Sequence, residues 1–124
     1  EHGDHYAGVE HFPHAAWYAA APVAEILNSR AGFSRRFELP PPLLSGAVEV
    51  IATPGHTRSH HSLRFECAGR GIVIAGDAVA TQDFWRDRRS YYNAVDPALG
   101  AETMNRLARV AQIVVPGHDN YFPV

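Results

Sequence analysis

Glu1-His2-Gly3-Asp4-His5 opens the chain, and three of these five residues, His2, Asp4 and His5, carry side chains that bind metal ions. Imidazoles and carboxylates crowded this closely are costly to desolvate unless a cation offsets the cost. Their partners lie far downstream. Thr53-Pro54-Gly55-His56 follows the strand-like run at 47–52, Gly76-Asp77 follows a second at 72–75, and Pro116-Gly117-His118 follows a third at 113–115. Each places one ligand where a strand gives way to a loop, the position from which rigid scaffolds present functional groups. His56 stands 51 residues after His5, Asp77 21 after His56, and His118 41 after Asp77. Agreement across such separated positions argues for a metal centre assembled from strand ends rather than a scatter of loop histidines.

This series resembles the metallo-β-lactamase fold superfamily of metal-dependent hydrolases. The family's leading motif reads His-x-His-x-Asp-His, and residues 1–5 match all of it except the first His, which would stand one place before Glu1. The resemblance implies an α/β fold, the αββα sandwich of two similar halves, with residues 1–124 forming the C-terminal part of one metallo-β-lactamase domain. The N-terminal strands are then expected to come from a longer chain or from another piece, because a sheet without them would show an unpaired edge and an uncovered face.

Carried over position by position, the resemblance makes His2 and His56, with the expected upstream His, a first metal site. It makes Asp4, His5 and His118 a second, and Asp77 the carboxylate that bridges both. The implied cofactor is two Zn2+ ions, with iron or manganese as alternatives. The implied reaction is hydrolysis of an ester, thioester, lactone or related carbonyl, or of a phosphoryl substrate. Two cations sharing one water lower its pKa enough to make a bridging hydroxide the nucleophile, and a cation also polarises the substrate oxygen. Asp4 is the candidate catalytic group, accepting a proton from the attacking water.

Relatives with other chemistry fit less well. Flavin-partnered di-iron reductases place a Glu where His2 stands, glyoxalase II-like thioesterases carry a helical C-terminal extension, and acyl-homoserine lactonases have a Tyr shortly after the bridging Asp, where Ala78-Val79-Ala80 stands here. A mononuclear iron enzyme similar to the persulfide dioxygenases is the nearest non-hydrolytic alternative. A binding module that lacks the first ligand, and with it catalysis, is the alternative of a different class.

Composition narrows the partners. A chain of 124 residues, 46% hydrophobic, holds one modest domain. Its 11 basic residues are all Arg and are outweighed by 13 acidic ones, for a net charge of −2, so there is no basic field for nucleic acid. A small-molecule substrate is expected, with no membrane partner; an oligomer is compatible with the sequence. The single cysteine, Cys67, cannot form an internal disulfide, which suits a reducing compartment, and a cytoplasmic location is the default expectation.

Along the chain, the sequence predicts a short helix over 6–12 closed by Pro13, a strand at 15–19, and a helix from Pro22 to about Arg30 with Val23, Ile26 and Leu27 on its core face. Residues 32–46, with Pro40-Pro41-Pro42, read as an extended surface connection. Strict alternation in Ser62-Leu63-Arg64-Phe65-Glu66-Cys67 predicts a strand with Leu63, Phe65 and Cys67 facing the core, so that Cys67 is a buried small hydrophobe. A buried strand at 72–75 follows. The stretch at 78–95 reads as a long loop whose aromatics, Trp85 above all, either touch substrate or anchor the loop. Asp96-Pro97 caps a helix with Thr103, Met104, Leu107 and Ala111 on one stripe. Asn120 and Tyr121, just past His118, are candidate substrate contacts or else parts of a packed end. His60 and His61 are read as a strand start with supporting hydrogen bonds, and His11 and His14 as surface histidines.

Overall fold

The computed structural model describes residues 2–124, and its packing divides the chain into one unit ending at Pro41 and a second beginning at Pro42. In the first unit the metal-ligand stretch forms a single 3-10 turn, Gly3–His5, and a second such turn, Val9–His11, stands where a helix over 6–12 was predicted. Gly8 on one side and Pro13 on the other leave too few residues to propagate an α-helix from its costly nucleus. Strand β1 (Trp17–Tyr18) then leads through helix α1 (Ala21–Asn28) to β2 (Phe37–Glu38), which pairs parallel with β1. Pro22 lies in the first turn of α1, where its missing N–H costs nothing.

Ala24 and Leu27 of α1 pack on Trp17 and Phe37, with Val23 and Phe33 at the margin. The Asn28 amide closes this small βαβ unit, donating to the Phe37 carbonyl at 2.9 Å and accepting from the Phe37 N–H at 2.8 Å. That pair of hydrogen bonds fixes part of the expected surface connection as β2. Ile26, predicted on the core face, is 47% exposed.

The second unit is a six-stranded sheet. Its strands are β3 (Leu43–Leu44), β4 (Val48–Ala52), β5 (His61–Cys67), β6 (Arg70–Gly76), β7 (Ile113–Pro116) and β8 (Phe122–Pro123), neighbours in that order. Only β6 and β7 pair parallel; the other neighbours are antiparallel. Two reversals bring β4 into the direction of β6 and β7, so these three strands all end at the same edge of the sheet. Helices α2 (Gln82–Asp87) and α3 (Pro97–Leu107) lie within the connection from β6 to β7. Asp96 caps α3 as predicted, its Oδ1 accepting from the Leu99 N–H at 3.0 Å. Met104 and Leu107 of α3 bury against Val73 and Ala75 of β6, Val114 of β7 and Phe122 of β8.

The predicted faces of β5 are reversed. Cys67 is free and exposed, Leu63 and Phe65 are half-buried, and the fully buried residue is Ser62. Ser62 pairs across the sheet on the side of Ala75, the helix-covered side, and its hydroxyl is satisfied there: it donates to the Ala75 carbonyl at 3.0 Å and bonds Thr53 Oγ1 at 2.8 Å. Cys67 is the last residue of β5, paired with Arg70 across the turn at Ala68-Gly69, where little covers it. The same reversal leaves Ile74 of β6 40% exposed, while Val73 and Ala75 are fully buried.

Candidate metal centre

The common direction of β4, β6 and β7 brings three expected ligands together. His56 follows β4, Asp77 follows β6, and His118 follows β7. The Asp77 carboxylate lies between the two imidazoles and uses a different oxygen for each: Oδ2 is 3.2 Å from His56 Nε2, and Oδ1 is 3.1 Å from His118 Nε2. Asp77 and His56 are 7% and 4% exposed, whereas His118 is 54% exposed. The cluster therefore has a dry floor and one open side.

These separations suit a metal. Two ligand atoms held about 2.0–2.1 Å from a tetrahedral ion stand roughly 3.3 Å apart. Each His–Asp pair thus spans one edge of such a polyhedron, and a carboxylate presenting one oxygen to each imidazole can serve two cations at once. An imidazole that donates its Nε2–H to the carboxylate gives the same separations, so the distances admit a metal without requiring one.

The loops are held by bonds that the core imposes. Thr53 N–H donates to the His60 carbonyl at 2.9 Å, closing the turn that carries His56. The start of α3 grips that turn from outside: Asp96 N–H donates to the Gly55 carbonyl at 2.9 Å, Val95 N–H to the His56 carbonyl at 3.1 Å, and Thr103 Oγ1 to the Pro54 carbonyl at 2.7 Å. Gly55 is required here twice over, because its φ is +139° and a Cβ would overlap the backbone of Gly100. Beneath the turn, Thr53 Oγ1 also meets His60 Nδ1 at 2.8 Å, and the His60 ring stands edge-on to His56 with centroids 6.2 Å apart. His60 is thus a support beside the ligands, as its sequence position suggested, and exposed His61 bonds only the nearby Ser59 carbonyl at 2.9 Å among the contacts described.

In the first unit, His2, Asp4 and His5 cluster around the Gly3–His5 turn. The His2 and His5 rings have centroids 6.5 Å apart, and His5 Nε2 is 3.9 Å from Asp4 Oδ2. His5 N–H donates to the His2 carbonyl at 3.2 Å, which folds the three side chains about one turn. The upstream His expected before Glu1 lies outside the described residues. His11 and His14 are exposed, as expected of surface histidines.

The substrate-facing expectations divide. Trp85 is 5% exposed and packs against Phe122 in the core with the Arg88 guanidinium 4.3 Å from its ring, so it anchors the segment and has no surface to offer a substrate. Asn120 and Tyr121 are exposed beyond His118, Tyr121 at 71%. The Tyr91 and Tyr92 rings are tilted at 45° with centroids 4.2 Å apart, and the hydrogen bond with the Tyr92 side chain raises the Tyr91 phenol above its usual range. The part played by Thr103 was not foreseen, although a polar residue inside an otherwise apolar helical stripe was the available signal.

Comparison with known proteins matches residues 1–118 to the family model of the metallo-β-lactamase superfamily. Metallo-β-lactamase domain-containing protein 1 of Xenopus laevis is 31% identical over 136 residues, covering 99% of this chain and 52% of that protein. Its Mus musculus counterpart is 31% identical over 130 residues, with 99% and 47% covered. The chain thus spans about half the length of these curated relatives. Among solved structures, an N-acyl homoserine lactone hydrolase with the product N-hexanoyl-L-homoserine at its catalytic metal centre is 28% identical, with a TM-score of 0.52 over 67% of this chain and 33% of that one. A Thermotoga maritima protein described as a candidate metallo-β-lactamase shares the fold, with a TM-score of 0.72 at 18% identity over 99% of this chain and 65% of that one.

Proposed function

The chain belongs to the metallo-β-lactamase superfamily, and on that premise we propose that it is a metal-dependent hydrolase acting on a small ester, thioester, lactone or related carbonyl substrate, or on a phosphoryl one. The observation that carries this reading is the Asp77 carboxylate shared between His56 and His118 at 3.2 and 3.1 Å. His2 and His56 would hold one ion, Asp4, His5 and His118 the other, and Asp77 both; zinc is the proposed metal. Bound there, the ions would supply Lewis acidity and a water acidified enough to attack at neutral pH.

The protein's own groups do the rest. The buried floor formed by His56 and Asp77 excludes bulk water and strengthens every charge interaction above it. The open side at His118 would admit the substrate, and Asn120 and Tyr121, exposed just past it in the sequence, would donate hydrogen bonds to it. Asp4, exposed beside His5, would take the proton released as water attacks. The likeness to the N-acyl homoserine lactone hydrolase, 28% identical, supports a carbonyl substrate. Among the described residues no helix is long and apolar enough to cross a membrane, which is compatible with a small dissolved substrate.

The test is elemental analysis of the intact purified protein beside a panel of ester, thioester, lactone and phosphodiester substrates. About two zinc ions per chain with turnover abolished by chelation and restored by zinc is the expected result. One iron per chain would transfer the protein to the mononuclear dioxygenase reading, and a protein that binds no metal would overturn both.

A further inference from the structure

We propose that Asp119 is a positioning residue, a carboxylate clasp that fixes the exposed ligand His118 against Asp77. The inference rests on the metal-centre reading for its purpose but on separate contacts for its geometry. His118 is the least enclosed of the three ligands in the second unit, and it sits in a short link between β7 and β8. Side-chain packing does little for a residue 54% exposed. Its position is set instead by a run of hydrogen bonds to the segment that follows Asp77. Gly117 N–H donates to the Val79 carbonyl at 3.0 Å, and His118 N–H donates to the Ala80 carbonyl at 2.9 Å.

Asp119 continues this run with its side chain. Oδ2 accepts from the Gln82 N–H at 3.2 Å, and Oδ1 accepts from the Asn120 N–H at 2.8 Å. One carboxylate therefore joins the loop carrying His118 to the segment starting at Asp77. Gln82 is the first residue of α2, and the usual capping position is vacated: Thr81 makes no side-chain cap bond. Asp119 supplies from 37 residues away the acceptor that the local sequence does not. A charged acceptor makes this a stronger bond than a neutral cap would, and it can be removed without disturbing any core residue.

Two variants isolate it. Asp119→Ala removes both acceptors. Gln82→Pro removes the N–H that reaches Asp119 and leaves the Asn120 bond in place, at a first helical position where proline is tolerated, and Thr81 before it already has the extended φ of −142° and ψ of 170° that proline demands of its predecessor. On the metal-free protein, hydrogen exchange of the Gly117 and His118 amides should quicken about tenfold in Asp119→Ala, with the β5 and β6 amides unchanged. In chelator competition one of the two zinc ions, the one assigned to His118, should lose affinity by roughly 10-fold to 100-fold in Asp119→Ala, the range typical of groups that orient a ligand, while the other holds. Gln82→Pro should shift both readouts in the same direction by less, and Asp119→Asn, which keeps one acceptor, should recover part of the loss.

Unchanged exchange at Gly117 and His118 in Asp119→Ala overturns the clasp outright, whatever the metal content. Faster exchange at all amides together, or equal weakening of both ions, would make Asp119 a general stabiliser and also overturn it. If the unaltered protein binds no zinc, the metal-centre reading fails while the exchange result still decides the clasp.

Discussion

Gly117→Ala separates the geometry of the proposed centre from the stability of the fold. A Cβ at residue 117 would overlap Asp77 Oδ1, the same oxygen that faces His118 Nε2, and would also stand 3.0 Å from the Gly76 carbonyl carbon and 3.2 Å from the Asp77 nitrogen. Gly117 is not among the residues with positive φ, so alanine meets no conformational strain and the effect is purely one of space. Two of the three neighbours are backbone and cannot rotate away. Relief requires the carboxylate or the whole 117–118 link to move by roughly 1 Å before ordinary van der Waals separation returns.

Overpacking of this kind costs about 1–3 kcal/mol. Displacement of a reacting group by about 1 Å costs on the order of a hundredfold in rate. The expected outcome is thus asymmetric: urea unfolding shows a loss of about 1–3 kcal/mol with an unchanged slope, whereas zinc content falls toward one ion per chain and hydrolysis drops about a hundredfold. A Gly117→Ala protein that keeps two zinc ions and near-native turnover would refute the placement of Asp77 Oδ1 in the centre. A protein that merely unfolds would be separated from these outcomes by its urea curve.

Thr103→Val keeps the shape of a residue with no exposure but leaves the Pro54 carbonyl without its 2.7 Å donor; urea unfolding should show a loss of about 1–3 kcal/mol. Trp85→Ala should cost about 3–5 kcal/mol by the same measurement while leaving the order of preference among substrates unchanged, because Trp85 lies in the core. Glu10 is held below the usual carboxylate range chiefly by the Ser34 hydroxyl and then by the Ser34 N–H. Its folded pKa is depressed, so its contribution to stability is present above the unfolded value of 4.5 and lost as pH falls through the lower folded value. In acid titrations followed by circular dichroism, Ser34→Ala should therefore be less stable than the unaltered protein above that window and converge with it below.

Much of the candidate centre was legible because its proposed ligands obey a rule of position rather than of neighbourhood. His56, Asp77 and His118 each follow a run of β-branched and apolar residues, and runs of that kind become strands whose ends carry loops. Helix α3 was legible for a local reason, since Asp96-Pro97 supplies both cap and first turn within the sequence itself. Helix α2 was not, because its supporting acceptor comes from Asp119, and no window around Thr81 contains it. Strand β2 was hidden similarly: Phe37 is fixed by the Asn28 amide, nine residues back, rather than by any strand-like run of its own.

The reversal of β5 has a more general cause. Alternation assigns residues to two faces and hydrophobicity nominates the apolar face as the inward one, a rule that fails where the helix-covered face carries polar residues whose bonds are satisfied there. In β5 the inward set includes Ser62 and Arg64, whereas Leu63 and Phe65 point the other way, alongside Ile72 and Ile74 of β6. What makes Ser62 tolerable inside is its bonding to Thr53 and to the Ala75 carbonyl, and Thr53 in turn supports His60 and the turn that carries His56. The polar residue that departs from the hydrophobic pattern of the strand is thus part of the support beneath the proposed metal ligands. An apolar residue at position 62 would suit the hydrophobic pattern better and would leave the Thr53 hydroxyl without Ser62, the buried one of its two side-chain partners, loosening the His56 turn from below.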